Sequence, residues 1–159
     1  MGVFAAEWTE TLADVLKRLG CRRAFVVHGR DGMDEITTTA TTRVSELREG
    51  AVRTYELDPL RYLPDGGDLE SLRGGEPAFN AAIIRNVLAG EPGPRRDIVC
   101  LNAAAAIVAG GKADDLFQGM KLAGDAIDSG RALSVLNRLI ACTNEHPSGE
   151  NQEKGGDRG

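Results

Sequence analysis

The chain has 159 residues, 42% of them apolar, which is enough for one domain with a buried core. Its net charge of −5 and its scattered arginines form no basic stripe, so no nucleic-acid partner is expected. No apolar run approaches the ~20 residues of a membrane span, and Met1 to Ala6 has no basic region followed by a long apolar core, so no membrane partner or signal peptide is expected.

Trp8, Leu12, Val15, Leu16 and Leu19 recur at helical spacing, with Gly20 as a stop. They predict a first amphipathic helix. Ala24 to His28 follows as a short strand, and its apolar run Phe25-Val26-Val27 suits cover on both faces. A helix before a buried strand is half of a doubly wound unit, and the strand that should precede the helix is not expected in this chain. Thr37 to Leu47 and Ala51 to Leu57 read as two further strands joined at Glu49-Gly50. The threonines read as strand propensity, not as a hydroxyl-rich site. Pro59 to Gly75 is loop-rich.

Pro77 opens a helix with Phe79, Ile83, Ile84, Val87 and Leu88 on its apolar face. Pro94 precedes a second, apolar nearly all round from Ile98 to Val108, which belongs inside a core. Its Ala103 to Ala106 run permits close neighbours. Asp114 and Asp115 start a third helix with Leu116, Phe117, Met120 and Ile127 inward. A last helix carries Leu133, Leu136, Leu139 and Ile140. The domain is predicted over residues 1–145, with a polar, disordered tail at 146–159. Cys21, Cys100 and Cys142 are odd in number and far apart, so neither a disulfide framework nor a zinc site is expected. Cys100 and Cys142 read as small buried residues, and the set fits a reducing cytoplasm.

The most informative segment is AFVVHGRDGMDE, Ala24 to Glu35. It runs a buried strand into an acidic turn, with Asp31, Asp34 and Glu35 past the strand's C-terminal end. Open α/β sheets bind ligands at that edge. Read on residues alone, the segment is either a solvated acidic turn or a site for a hard cation such as Mg²⁺. It lacks the ligand spacing of an EF-hand. His28 ends the strand and reads as a histidine hydrogen-bonded in place. Arg95-Arg96-Asp97 reads as a helix start with locally paired arginines.

HGRDGMDE closely resembles the strand and turn of the anthranilate phosphoribosyltransferase family. GGEPAFNAAIIRNVLAGEPGPRRDIVCLNAAAAIVAGGKADDLFQGMKLAGDAIDSGRA, Gly74 to Ala132, resembles that family's closing helical stretch, and MGVFAAEWTETLADVLKRLGCRRA resembles the helix before the turn. The likeness runs from roughly Gly2 to Ile140 and concerns the second half of such enzymes. Pyrimidine nucleoside phosphorylases share the wider fold, but these segments resemble them less. The resemblance implies an α/β fold with an incomplete sheet of about three strands and flanking helices, as in the C-terminal part of the family's large domain. It implies that Asp34 and Glu35 bind a magnesium ion beside the diphosphate of phosphoribosyl diphosphate. Asp31 is as well suited to holding the turn through backbone N–H groups. Asn80 and Asn102 match positions typical of the family and are expected to bond backbone, not substrate.

The family's glycine-rich GTGGD diphosphate loop and its KHGNR segment are not found in this sequence. Gly66-Gly67-Asp68 follows Pro64-Asp65 with no apolar strand before it, so it is a decoy for that loop, as is Gly155 to Asp157. The resemblance implies a transferase of tryptophan biosynthesis that moves phosphoribose from phosphoribosyl diphosphate to anthranilate. It implies no catalytic residue among those retained and no activity for this chain alone. The two substrates would be partners only when the N-terminal half is supplied, by a complementing chain, and self-association is expected otherwise. The alternative is a non-catalytic remnant or a complementing subunit of a split enzyme.

Overall fold

The computed structural model describes residues 1–144, and the predicted tail lies outside the described residues. Helix α1 spans Trp8–Arg18, and Gly20 ends it at φ 87°. Its apolar stripe does not point straight at the core. The helix buries a flank made by Thr9 and Ala13, with Leu12 and Leu16 half-buried beside them, while Trp8, Val15 and Leu19 stay exposed. Two small residues let the helix axis approach the sheet, so the flank and not the stripe makes the contact.

Strands β1 (Arg23–Gly29), β2 (Thr42–Arg48) and β3 (Ala51–Leu57) form an antiparallel sheet in that order. Val27 lies opposite Val44, and Val44 opposite Tyr55. Glu49 and Gly50 turn the β2–β3 hairpin with φ of 52° and 76°, the left-handed pair that a two-residue hairpin of this twist requires. No full strand precedes α1; a single parallel bridge from Gly2 to Val27 stands in its place. Met1–Val3 runs parallel to β1: the Val27 N–H donates to the Met1 carbonyl and the Val3 N–H to the Val27 carbonyl, both at 3.0 Å. Three residues carry too little pattern to be read as a strand. The β1 edge is therefore partly covered, and β3 ends the sheet among the described residues.

Alternation along β1 separates its apolar run. Val26 packs under α1 with Val3 and Ala13. Phe25 and Val27 face the other way, with Val44 and Leu57, onto Leu101, Ala104, Ala105 and Val108 of α4 (Pro94–Ala109). The strand is thus covered on both faces, as its sequence predicts. The helical side comprises α2 (Leu69–Leu72), α3 (Pro77–Leu88), α4, α5 (Leu116–Asp128) and α6 (Arg131–Asn144). At the α4–α5 crossing, a Cβ on Gly119 would lie 2.8 Å from the Ala104 carbonyl oxygen, so the alanine run does admit a close neighbour. Other inward assignments fail. Phe79, Ile84, Phe117 and Leu139 are exposed, as is Cys142, and α6 buries no residue fully. Peripheral helices meet the core along one narrow contact, so only part of each apolar stripe is covered.

Candidate functional site

β1 stops at Gly29 and the chain reverses through Arg30–Glu35. The Gly29 N–H donates to the Met33 carbonyl at 2.8 Å, and the Met33 N–H donates to Asp31 Oδ1 at 3.2 Å. Asp31 Oδ2 accepts from the Thr37 hydroxyl at 2.5 Å and from the Thr39 hydroxyl. Burial pushes the Asp31 carboxyl up, yet the bonds from Thr37, Thr39 and the Met33 amide outweigh it and hold it below its ordinary 3.8. Asp31 is the residue that ties the turn. Thr37 to Thr41 correspondingly lie before β2, not within it. This corrects the reading of the threonine run as strand: at Thr37 and Thr39 the hydroxyls serve the aspartate.

The next two acids are free of such bonds among the described side-chain contacts. Asp34 is exposed and Glu35 half-buried. Burial first, then the charges of Asp34 and Asp31, raise the Glu35 carboxyl above its ordinary 4.5. Ile36 follows, 1% exposed in the main core. Two depressions flank Glu35. One, about 200 Å³, is lined by Gly2, Phe25, Asp34, Ile36, Asn102 and Ala105 among others. The second, about 320 Å³ and largely apolar, includes Met33, Ile83, Ile84, Arg95 and Val99. Gly2 fits only as glycine, because a Cβ there would fall 1.5 Å from the Asp34 carbonyl oxygen.

Among the described residues no cluster of three or more His, Cys, Asp or Glu side chains is arranged to hold a metal ion. Asp34 and Glu35 are two hard oxygen donors with uncompensated charge. That donor set fits Mg²⁺, which takes one or two carboxylates and completes its shell with water and substrate phosphate. It does not fit a dedicated all-protein cage.

The remaining candidates are tied up structurally. His28 Nδ1 donates to the Val3 carbonyl at 2.8 Å, pinning the first segment to β1. Arg96 pairs with both Asp128 oxygens at 2.8 Å, and Arg95 donates to the Arg73 carbonyl at 3.0 Å and lies over the Phe79 ring. Asp68 caps its own short helix through Glu70 N–H and Ser71 N–H, so Gly66-Gly67-Asp68 is a helix start following a loop and not a strand. Asn80 and Asn102 both bond backbone, as expected. Sequence reasoning overlooked the threonine partners of Asp31 and the place where Asn102 attaches. The signals were there: a threonine triplet right after the acids, and an asparagine inside an apolar helix, where a buried amide must find partners.

A three-stranded antiparallel sheet bridged by Gly2, a helical layer behind it and an acidic turn at the end of β1 make this an α/β domain. Residues 1–133 match the sequence profile described as the glycosyl transferase family, a/b domain. The chain belongs to that family. It is 54% identical over 144 residues to the anthranilate phosphoribosyltransferase of Desulfosudis oleivorans, covering 90% of this chain and 42% of that protein. The enzyme of Methanocorpusculum labreanum is 54% identical over 140 residues, covering 88% and 41%. The crystal structure of anthranilate phosphoribosyltransferase from Thermus thermophilus superposes with a TM-score of 0.78 at 40% identity, over 88% of this chain and 41% of that one. The chain thus spans about two fifths of the length of the relatives it matches. No helix among the described residues is long and apolar enough to cross a membrane.

Proposed function

We propose that this chain carries the divalent-cation part of an anthranilate phosphoribosyltransferase site, with Asp34 and Glu35 as the magnesium ligands. In that reading it takes part, in the cytoplasm, in transferring phosphoribose from phosphoribosyl diphosphate to anthranilate for tryptophan biosynthesis. The carrying observation is the turn itself: two adjacent carboxylates, one half-buried among like charges, at the end of a strand in a family domain. When bound, Mg²⁺ would neutralise charge developing on the departing pyrophosphate. Asp31 and its threonines hold the two ligand-bearing residues at the strand end; the positioning of both substrates falls to the remaining length found in the relatives.

Exposed apolar residues favour a complementing partner, or self-association, over an inert remnant. Phe4 is 81%, Trp8 44% and Leu19 75% exposed, within and next in sequence to α1. Apolar patches of this kind mark contact surfaces.

The test supplies phosphoribosyl diphosphate, anthranilate and Mg²⁺ to the chain alone, then to the chain mixed with the complementary portion of the Desulfosudis oleivorans relative. No turnover above a heat-killed control is expected from the chain alone, and measurable turnover from the mixture. Asp34→Asn with Glu35→Gln should abolish it. Turnover by the chain alone, or a mixture indifferent to the double substitution, defeats the reading.

A further inference from the structure

We propose that Asn102 is a positioning residue for the Asp34–Glu35 turn. This rests on the metal reading of that turn and adds to it how the carboxylates are held. Asn102 sits midway along α4, 66 residues from its target. Its Oδ1 accepts from the Ile36 N–H at 2.9 Å, and its Nδ2 donates to the Ile36 carbonyl at 2.7 Å. The same Nδ2 donates to the Ile98 carbonyl, one turn back, at 3.0 Å. The partners fix which way the amide faces: a donor must meet each carbonyl and an acceptor the N–H.

The target makes the contact informative. The Ile36 N–H belongs to the planar peptide unit that contains the Glu35 Cα and carbonyl. The Ile36 carbonyl belongs to the next unit, shared with Thr37. One side chain therefore holds two successive peptide planes immediately after the second carboxylate. The Thr37 N–H, in the second plane, also donates to the Thr42 hydroxyl at 3.1 Å. On the other side, the Gly2 backbone lies so close to the Asp34 carbonyl that no Cβ could intervene. The two acids sit between these fixed ends. Adjacent carboxylates repel, and a turn held only by itself would relax by splaying them. A clamp anchored in a buried helix keeps them adjacent before any cation arrives.

The molecule contains its own control. Asn80 makes the same pair of bonds to Gly75, accepting from its N–H and donating to its carbonyl, both at 2.8 Å. That clamp lies in an exposed loop and touches no part of the acidic turn.

The experiment titrates the full chain with Mn²⁺, followed by loss of the free-ion paramagnetic signal. Compared are the native chain, Asn102→Ala, Asn80→Ala and the double variant Asp34→Asn, Glu35→Gln. Asn102→Ala should weaken Mn²⁺ binding by about tenfold or more, as loss of a ligand-orienting partner does. Asn80→Ala should leave it unchanged. Equal affinity in Asn102→Ala, or equal weakening by Asn80→Ala, overturns the proposal. A native chain whose Mn²⁺ binding does not depend on Asp34 and Glu35 overturns the metal reading itself and this inference with it. Should Asn102→Ala not fold, amide hydrogen exchange in the native chain decides. A clamp present without metal slows the Ile36 amide well below Gly75 and leaves it slow on adding Mn²⁺. An Ile36 amide that exchanges fast until metal is added overturns it.

Discussion

The turn Asp31–Glu35 and the loop Asp65–Asp68 are both short, acidic and glycine-bearing, yet their bonds run to different places. The first is tied by two threonine hydroxyls, ends at a buried isoleucine and is gripped by an asparagine from the central helix. In the second, every bond is local: the Gly66 N–H donates to the Leu63 carbonyl, and Asp68 accepts from Glu70 N–H, Ser71 N–H and the Ser71 hydroxyl, all exposed. Similar residues become a candidate site in one case and a helix cap in the other. The difference lies in how far away the partners come from, because only distant partners can hold a turn against the repulsion of its own charges.

The largest expected contrast is between Asp31→Ala and Asp68→Ala. The first strips a partly buried carboxylate from two hydroxyls and an amide and should cost about 2–4 kcal/mol. The second removes a fully exposed cap from a four-residue helix and should cost far less, because water replaces the lost bonds. Urea unfolding of both variants measures this, and equal losses would erase the distinction. Gly67→Ala probes a contact between the second loop and the threonine segment that follows the first turn. A Cβ there would lie 2.2 Å from the buried Thr38 hydroxyl. The loop should yield for about 1 kcal/mol. A loss matching Asp31→Ala would show that the loop is integrated with the first turn.

The smallest effect is in acid. Hydrogen bonding depresses the Asp31 carboxyl below 3.8 in the folded chain, despite burial. A depressed carboxyl contributes stability that is present above its unfolded value and lost as pH falls through its folded one. The stability gap between native chain and Asp31→Asn should therefore be full at neutral pH and shrink below about pH 3.8. Asp68 is also lowered, first by Ser71, but in full solvent; Asp68→Asn should track the native acid limb. Thermal melts across pH 2.5–7 distinguish the two, and a gap for Asp31→Asn that persists unchanged in acid would refute the assignment of Asp31 as an ionised tie.

Local pattern determined the elements whose cause is local. The Phe25-Val26-Val27 run, Gly20 ending α1, Glu49-Gly50 turning the hairpin, and the near-uniform apolarity of α4 are each decided by residues within a few positions of one another. The family likeness was legible in HGRDGMDE for the same reason, since strand, turn and acids are contiguous. What depended on distance was not legible. The flank that α1 buries follows from Thr9 and Ala13 fitting the sheet, and the stripe of larger residues gave no hint of it. Met1–Val3 became a parallel partner only because β1 was there to receive it. Thr37 and Thr39 lie before β2 with their hydroxyls on the Asp31 carboxylate, a pairing that strand propensity does not foretell. Asn102 could be recognised as needing partners, but that it reaches across to Ile36 is a fact of packing. A hydrogen bond between residues far apart in sequence leaves no period in the chain; only the fold brings its two ends together.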